Sequence, residues 1–263
     1  MKFYEYGKEN KVTIMLLPGN MMTHRQFEHI VPLLEDKYHV ITVSFDGFDE
    51  TGATTYTTAK KQAEKLAAFI RKKLSGRVDL VLSESLGGAA AMFLTRSKAI
   101  SIGGMIIDGA SYWNLGIFNP IAKSTLYKIP YGIVKKARKN GRIMMPSWLL
   151  KSMGLTQEEI DAMTHQMCLS VSSESLKATF AEGIELYNYV RKWAPRTDLP
   201  IACWHGENES NMKKAIKSLK KAFPNLIIYS FSGMGHGEFI MDADNFVKEV
   251  ENYIKNNNIK DRA

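Results

Sequence analysis

An apolar run, Leu80-Val81-Leu82, ends abruptly in Ser83-Glu84-Ser85-Leu86-Gly87, and an alanine-rich stretch, Gly88-Ala89-Ala90-Ala91, follows. A small-x-Ser-x-small pattern at the junction of a strand and a helix is the layout of a tight turn. Such a turn holds a serine hydroxyl up at the C-terminal edge of a sheet. The chemistry it suits is nucleophilic attack by Ser85 on an electrophilic carbon. The small flanks, Ser83 and Gly87, relieve crowding where the turn folds back on neighbouring backbone. Leu86 opens the helix, so its N–H group is a natural donor to an oxyanion.

A serine hydroxyl needs a base. The chain has six histidines, at positions 24, 29, 39, 165, 205 and 236. His236 stands apart, because Gly233-Met234-Gly235-His236-Gly237 surrounds it with glycines between the last predicted strand and the last predicted helix. That places it on the same sheet edge as Ser85, where open α/β sheets hold ligands. The base needs a carboxylate to orient it. Glu209, three residues after Gly206, is the expected acid, with Glu207 and Asp108 as alternatives. A second oxyanion donor is expected from Pro18-Gly19-Asn20-Met21, with Asn20 N–H as the donor.

The elements that must position these residues alternate. Strands are expected at Lys2 to Tyr6, Val12 to Leu17, Tyr38 to Phe45, Val78 to Ser83 and Ser101 to Ile107. Helices are expected from about His24 to Leu34, from Thr57 to Leu74, and from the serine turn to about Arg96. This alternation predicts a parallel sheet with right-handed crossovers. It stops after Asp108. From Ser111 to Trp193 only helical patterns appear, at Ile121 to Lys139, Pro146 to Met153, Thr156 to Met167 and Ser173 to Val190. A stretch of roughly 80 residues is too long for a structureless loop, so it reads as a helical insertion. Strands resume at Ile201 to Trp204 and Leu226 to Phe231, and a helix at Phe239 to Ile254 follows.

The chain has 263 residues and a net charge of +8. Its lysines concentrate at residues 71–73, 135–139 and 213–221. The last set lies opposite Ala215, Ile216, Leu219 and Phe223 on a helical period, as on a solvated face. No nucleic-acid motif accompanies the charge, so no nucleic-acid partner is expected. The N-terminal residues lack a signal peptide's apolar region, and no run has membrane-spanning length. Cys168 and Cys203 match no zinc or redox spacing and read as free thiols, which points to the cytoplasm. No cofactor or metal is expected. Nothing in the sequence specifies an oligomeric state.

The serine turn, the Gly19-Asn20 loop, the Gly206-x-x-Glu209 turn and the Gly235-His236-Gly237 loop, in the order Ser, acid, His, resemble the α/β-hydrolase superfamily. The resemblance covers nearly the whole chain. It implies a mostly parallel sheet flanked by helices, with residues 1–110 and 194–263 as the core and 111–193 as an all-helical cap. Three positions depart from the family's pattern. Pro18 stands where a histidine commonly precedes the oxyanion-loop glycine, Ser83 replaces the first turn glycine, and Glu209 stands where aspartate is commoner. The resemblance implies a small-molecule acyl substrate, and the expected reaction is hydrolysis of a small or medium apolar carboxylic ester. Thioester hydrolysis, acyl transfer, another hydrolysis on the same residues, or ligand binding without turnover are the alternatives. The cap's Met144, Met145, Met153, Met163 and Met167, with Trp113, Phe118, Tyr127, Tyr131 and Trp148, are candidates for cap packing or for lining an apolar pocket over Ser85.

Overall fold

The computed structural model describes residues 1–110, 116–153, 156–209 and 211–259. Strands β1 (Lys2–Tyr6), β2 (Thr13–Leu17), β3 (His39–Ser44), β4 (Arg77–Glu84), β5 (Ser101–Asp108), β6 (Ile201–Gly206) and β7 (Ile227–Phe231) form one sheet. Their order is β1-β3-β2-β4-β5-β6-β7. Only β1 runs antiparallel to its neighbour; every other pairing is parallel. Successive residues face opposite sides and both sides are dry. Met15 and Leu17 join one apolar layer, while Ile14 and Leu16 join the other. That is why the strands read as apolar runs rather than as alternating ones.

Helices cover both faces. They are α1 (Val31–Leu34), α2 (Ala59–Lys73), α3 (Leu86–Leu94), α4 (Asn119–Thr125), α5 (Lys128–Asn140), α6 (Ser147–Met153), α7 (Gln157–Met163), α8 (Ser173–Val190), α9 (Met212–Ala222) and α10 (Ala243–Asn256). Helix α2 buries Ala63, Leu66 and Ile70, and Phe69 stacks on Phe3 of β1. Helix α9 buries Met212, Ala215 and Leu219 and turns its lysines outward. Helices α4 to α8 lie between β5 and β6, with no strand among the described residues.

Four expected helices are broken, the Thr156 to Met167 helix among them, into α7 and a 3₁₀ turn, Thr164–Gln166. Residues 24–34 form a 3₁₀ turn, His24–Phe27, and then α1. Pro32 has no N–H for the Glu28 carbonyl, so the helix restarts with Pro32 in its first turn. Pro130 acts likewise and divides the expected Ile121 to Lys139 helix into α4 and α5. Residues 239–254 divide into a 3₁₀ turn, Phe239–Met241, and α10, because the Asp242 side chain accepts from Asn245 N–H and caps a new helix there.

The last two strands are held by one aromatic hub. Trp204 is fully buried and meets Tyr229, Phe231, Phe239 and Phe246 edge-on at 5.5–6.1 Å. Phe231 and Phe239 also stack on each other at 3.6 Å. These rings brace both ends of the loop that carries His236. Trp204→Ala is expected to cost ~3–5 kcal/mol of stability, read as a lower urea midpoint, whereas Trp204→Phe retains most of it.

Candidate active site

Ser85 sits between β4 and α3 with φ +46° and ψ −109°. A non-glycine residue there stores strain of order 1–3 kcal/mol, so the surroundings must hold it. Ser85 N–H donates to the Asp108 carbonyl at 2.8 Å. The chain then passes so close to β2 that a side chain at Gly87 would meet the Leu17 and Pro18 carbonyls at 2.5 and 2.8 Å. Position 83 tolerates serine because the Ser83 hydroxyl, fully buried, donates to the Ile106 carbonyl at 3.2 Å.

His236 Nε2 lies 3.0 Å from Ser85 Oγ, and its Nδ1 lies 2.7 Å from Glu209 Oε2. Glu209 Oε1 accepts from Gly206 N–H at 2.8 Å, which fixes the carboxylate's orientation. Structure thus brings together Ser85, His236 and Glu209 in one hydrogen-bonded row. Glu207 is placed elsewhere. Its carboxylate accepts from Ser232 Oγ and Gly233 N–H, so it ties the Glu209 loop to the His236 loop. Asn208 adds two more ties, to the carbonyls of Gly233 and Met234. Asp108 is buried at the end of β5, and its Oδ2 has no hydrogen-bond partner among the described residues.

Asn20 lines the same cavity as Ser85 and His236. The next residue, Met21, adopts φ +67°, a conformation rarely taken by long side chains. This turn is set by a network that sequence reasoning did not find. Gly19 N–H donates to Gln26 Oε1 at 2.8 Å, and Gln26 Nε2 donates to Glu84 Oε2 at 3.1 Å. A Cβ on Gly19 would lie 1.8 Å from Glu84 Oε2. The other Glu84 oxygen is 3.5 Å from His236 Nε2. Glu84 therefore links the loop of Asn20 to the imidazole. Its signal in the sequence is a glutamate at the end of an apolar strand, where an acid is seldom buried without partners.

The electrostatics follow from crowding. Burial pushes the Asp108 carboxyl up to about 8, with the Glu84 and Glu209 charges adding to the shift. Burial also raises Glu84, against the pull of His236 and Gln26. For His236, burial favours the neutral ring, but the Glu209 hydrogen bond and the Glu84 and Glu209 charges outweigh it and raise the imidazole to about 9. Among the described residues, no group of three or more His, Cys, Asp or Glu side chains converges as metal ligands.

A cavity of about 490 Å³ opens above Ser85. Its walls are mainly apolar and come from both sides: Met21, Met22 and Ile240 from the sheet region, Ile133, Met145 and Met163 from the helices after β5. Of the expected cap candidates, Met145, Met163, Met167 and Trp148 line it. Met144 and Phe118 are exposed, and Tyr127 and Tyr131 pack against the main core. Trp113 and the Met153 side chain lie outside the described residues. No Lys or Arg lines the cavity among the described residues. A larger surface cleft contains Arg25, Glu50, Arg142, Asp161 and His165, but these ions pair among themselves or with Glu28.

A model of the alpha/beta hydrolase family matches residues 14–249. The chain belongs to that family. Solved structures share its architecture. A putative alpha/beta hydrolase family protein from Desulfitobacterium hafniense superposes with a TM-score of 0.78 at 18% identity, covering 96% of this chain and 99% of that one. MenH from S. aureus gives 0.75 at 19% identity, with 98% of each chain covered. A thermophilic esterase from Thermogutta terrifontis gives 0.71 at 17% identity, covering 97% and 93%. At these identities the likeness is one of fold, and a fold hosts many reactions. No curated protein sequence matches this chain significantly.

Two expectations follow from the geometry. An imidazole raised to about 9 is mostly protonated at neutral pH, so any activity that needs His236 to accept a proton is expected to climb with pH until about 9. Glu84→Gln removes a negative charge beside the imidazole and should lower the His236 pKa, measured by NMR titration of the ring. Gly19→Ala forces Glu84 and the Asn20 turn apart, and a lower hydrolytic rate is expected in the purified variant.

Proposed function

We propose that this alpha/beta hydrolase cleaves a small or medium apolar carboxylic ester through an acyl-enzyme on Ser85. The observation that carries this reading is the row Ser85, His236, Glu209, with spacings of 3.0 and 2.7 Å, opening on an apolar cavity. In the first half-reaction, Ser85 Oγ bonds to the ester carbon while its proton passes to His236 Nε2. Leu86 N–H, first in α3, and Asn20 N–H receive the oxyanion. The carbonyl re-forms, the C–O bond to the alcohol breaks, and His236 returns the proton to the leaving oxygen. In the second, water attacks the acyl carbon as His236 takes its proton. Ser85 Oγ then leaves, reclaims that proton, and the free acid is released. Glu209 holds the imidazole in the tautomer that keeps Nε2 free and stabilises the imidazolium.

The cavity supports an uncharged substrate. A carboxylate or phosphate group there would face Glu84 without a lysine or arginine to pair with among the described residues. We read residues 111–193 as a cap over the core formed by 1–110 and 194–263. On that reading its methionines set acyl selectivity, because flexible thioethers adapt to different chain shapes. Ser85→Ala is expected to lower hydrolysis of p-nitrophenyl esters by on the order of 10⁶-fold in kcat and to abolish labelling by a fluorophosphonate probe, with an unchanged circular dichroism spectrum. Full activity in that variant overturns the reading. Glu209→Gln is expected to cost roughly 10⁴-fold, and an equal loss in Glu207→Gln would reassign the acid. Acyl-thioesters tested beside the esters decide which acyl bond is preferred.

A further inference from the structure

The outer surface of the segment after β5 differs from the rest of the molecule. Ten large apolar side chains are exposed among the described residues. Six of them, Ile117, Phe118, Ile121, Ile129, Met144 and Trp148, fall between positions 116 and 151. Over the same stretch the sequence has eight Lys and Arg residues and no Asp or Glu. Three of these cations are engaged: Lys123 with Glu185, Arg142 with Asp161, and Arg138 with the carbonyls of Leu169 and Val171. Lys128, Lys135, Lys136, Lys139 and Lys151 are exposed and have no partner among the described residues.

The arrangement is directional. At about 100° per residue, Lys128, Lys135, Lys136 and Lys139 share one side of α5 with Ile129. The opposite side carries Val134 and Ala137, both fully buried. Ile129, Trp148 and Met241 are exposed and also line the cavity above Ser85, so they form its mouth. The lysine face therefore adjoins the entrance through which a substrate passes.

Exposed aliphatic and aromatic side chains among unpaired lysines complement a surface with an apolar interior and anionic headgroups. A polynucleotide satisfies the lysines but offers nothing for Ile117, Ile121 and Met144. A second copy docking by the same face would set lysines against lysines. We propose that residues 116–151 dock this protein on an anionic lipid bilayer, with the cavity mouth toward the acyl chains. The apolar side chains enter the headgroup boundary while the lysines meet lipid phosphates. A substrate dissolved in the bilayer then reaches Ser85 without crossing water. That last step rests on the acyl-enzyme reading; the docking does not.

The test uses the Ser85→Ala chain in flotation with phosphatidylcholine vesicles, with and without phosphatidylglycerol, so that no turnover enters the measurement. Binding is expected only with phosphatidylglycerol and is expected to weaken steeply as salt is added. Each lysine near such a surface contributes about fivefold, so Lys135→Gln, Lys136→Gln and Lys139→Gln combined should weaken binding roughly 100-fold. Phe118→Ser with Ile121→Ser should weaken it as well. Three results overturn the proposal: no binding to anionic vesicles at low salt, undiminished binding by the lysine variant, or self-association in sedimentation that these substitutions abolish. Hydrolysis of a short water-soluble ester by the Ser85 chain is measured separately. Its absence removes the acyl-enzyme reading and leaves the docking result standing.

Discussion

One imidazole must hold the negative charge that this fold buries at the C-terminal edge of its sheet. Glu84, Asp108 and Glu209 all approach His236, and burial drives the Glu84 and Asp108 carboxyls toward their neutral forms. The crowding resolves in opposite directions from the same cause. Asp108 keeps a proton, up to about 8, while His236 gains one, up to about 9. The arrangement has a cost and a use in the proposed reaction. At neutral pH little of the ring is free to act as base. Once Ser85 has given up its proton, however, the surroundings already favour the imidazolium that forms.

The sheet register builds this crowding. Glu84 pairs with Asp108, and Asp108 pairs with Trp204, across three adjacent parallel strands. Parallel strands end together, so acids at their C-terminal residues become neighbours whatever their distance in sequence. The Asp108 carbonyl holds the strained Ser85 backbone, and the Trp204 rings brace the His236 loop from below. A shift of β5 by one residue would turn Asp108 to the other face and free Ser85 N–H together. Core packing and site geometry are thus one constraint.

Much of this was legible in sequence, for physical reasons. Small residues mark Ser85, where Gly87 passes close to the Leu17 and Pro18 backbone, and glycines mark the His236 loop, where Gly233 and Gly237 take positive φ. Glu209 and Glu207 were harder to separate: both follow Gly206 in one turn, and the direction of each side chain decides between them. Here Glu209 turns inward to the imidazole, while Glu207 stitches two loops at the surface. The role of Glu84 was hidden because its partner Gln26 lies 58 residues away. The helix breaks at Pro32 and Pro130 were visible as prolines within periodic patterns; apolar period alone does not register a missing N–H. The cavity walls from Met21, Met22 and Ile240 depend on tertiary contacts that no local pattern carries.

The net charge of +8 takes its meaning from where the lysines are absent. No Lys or Arg lines the cavity among the described residues, and Glu84 lies against its polar end, so the lysine charge does not serve to hold an anionic substrate at Ser85. The unpaired lysines of α5 sit outside, beside the mouth. Charge on the outside acts at long range on whatever surface the protein meets, and is weakened by salt. Chemistry inside depends on short contacts, which salt screens far less. Separating the two lets the approach be cationic while the reaction site stays apolar and acid-rich, a combination that a single charged pocket would not allow.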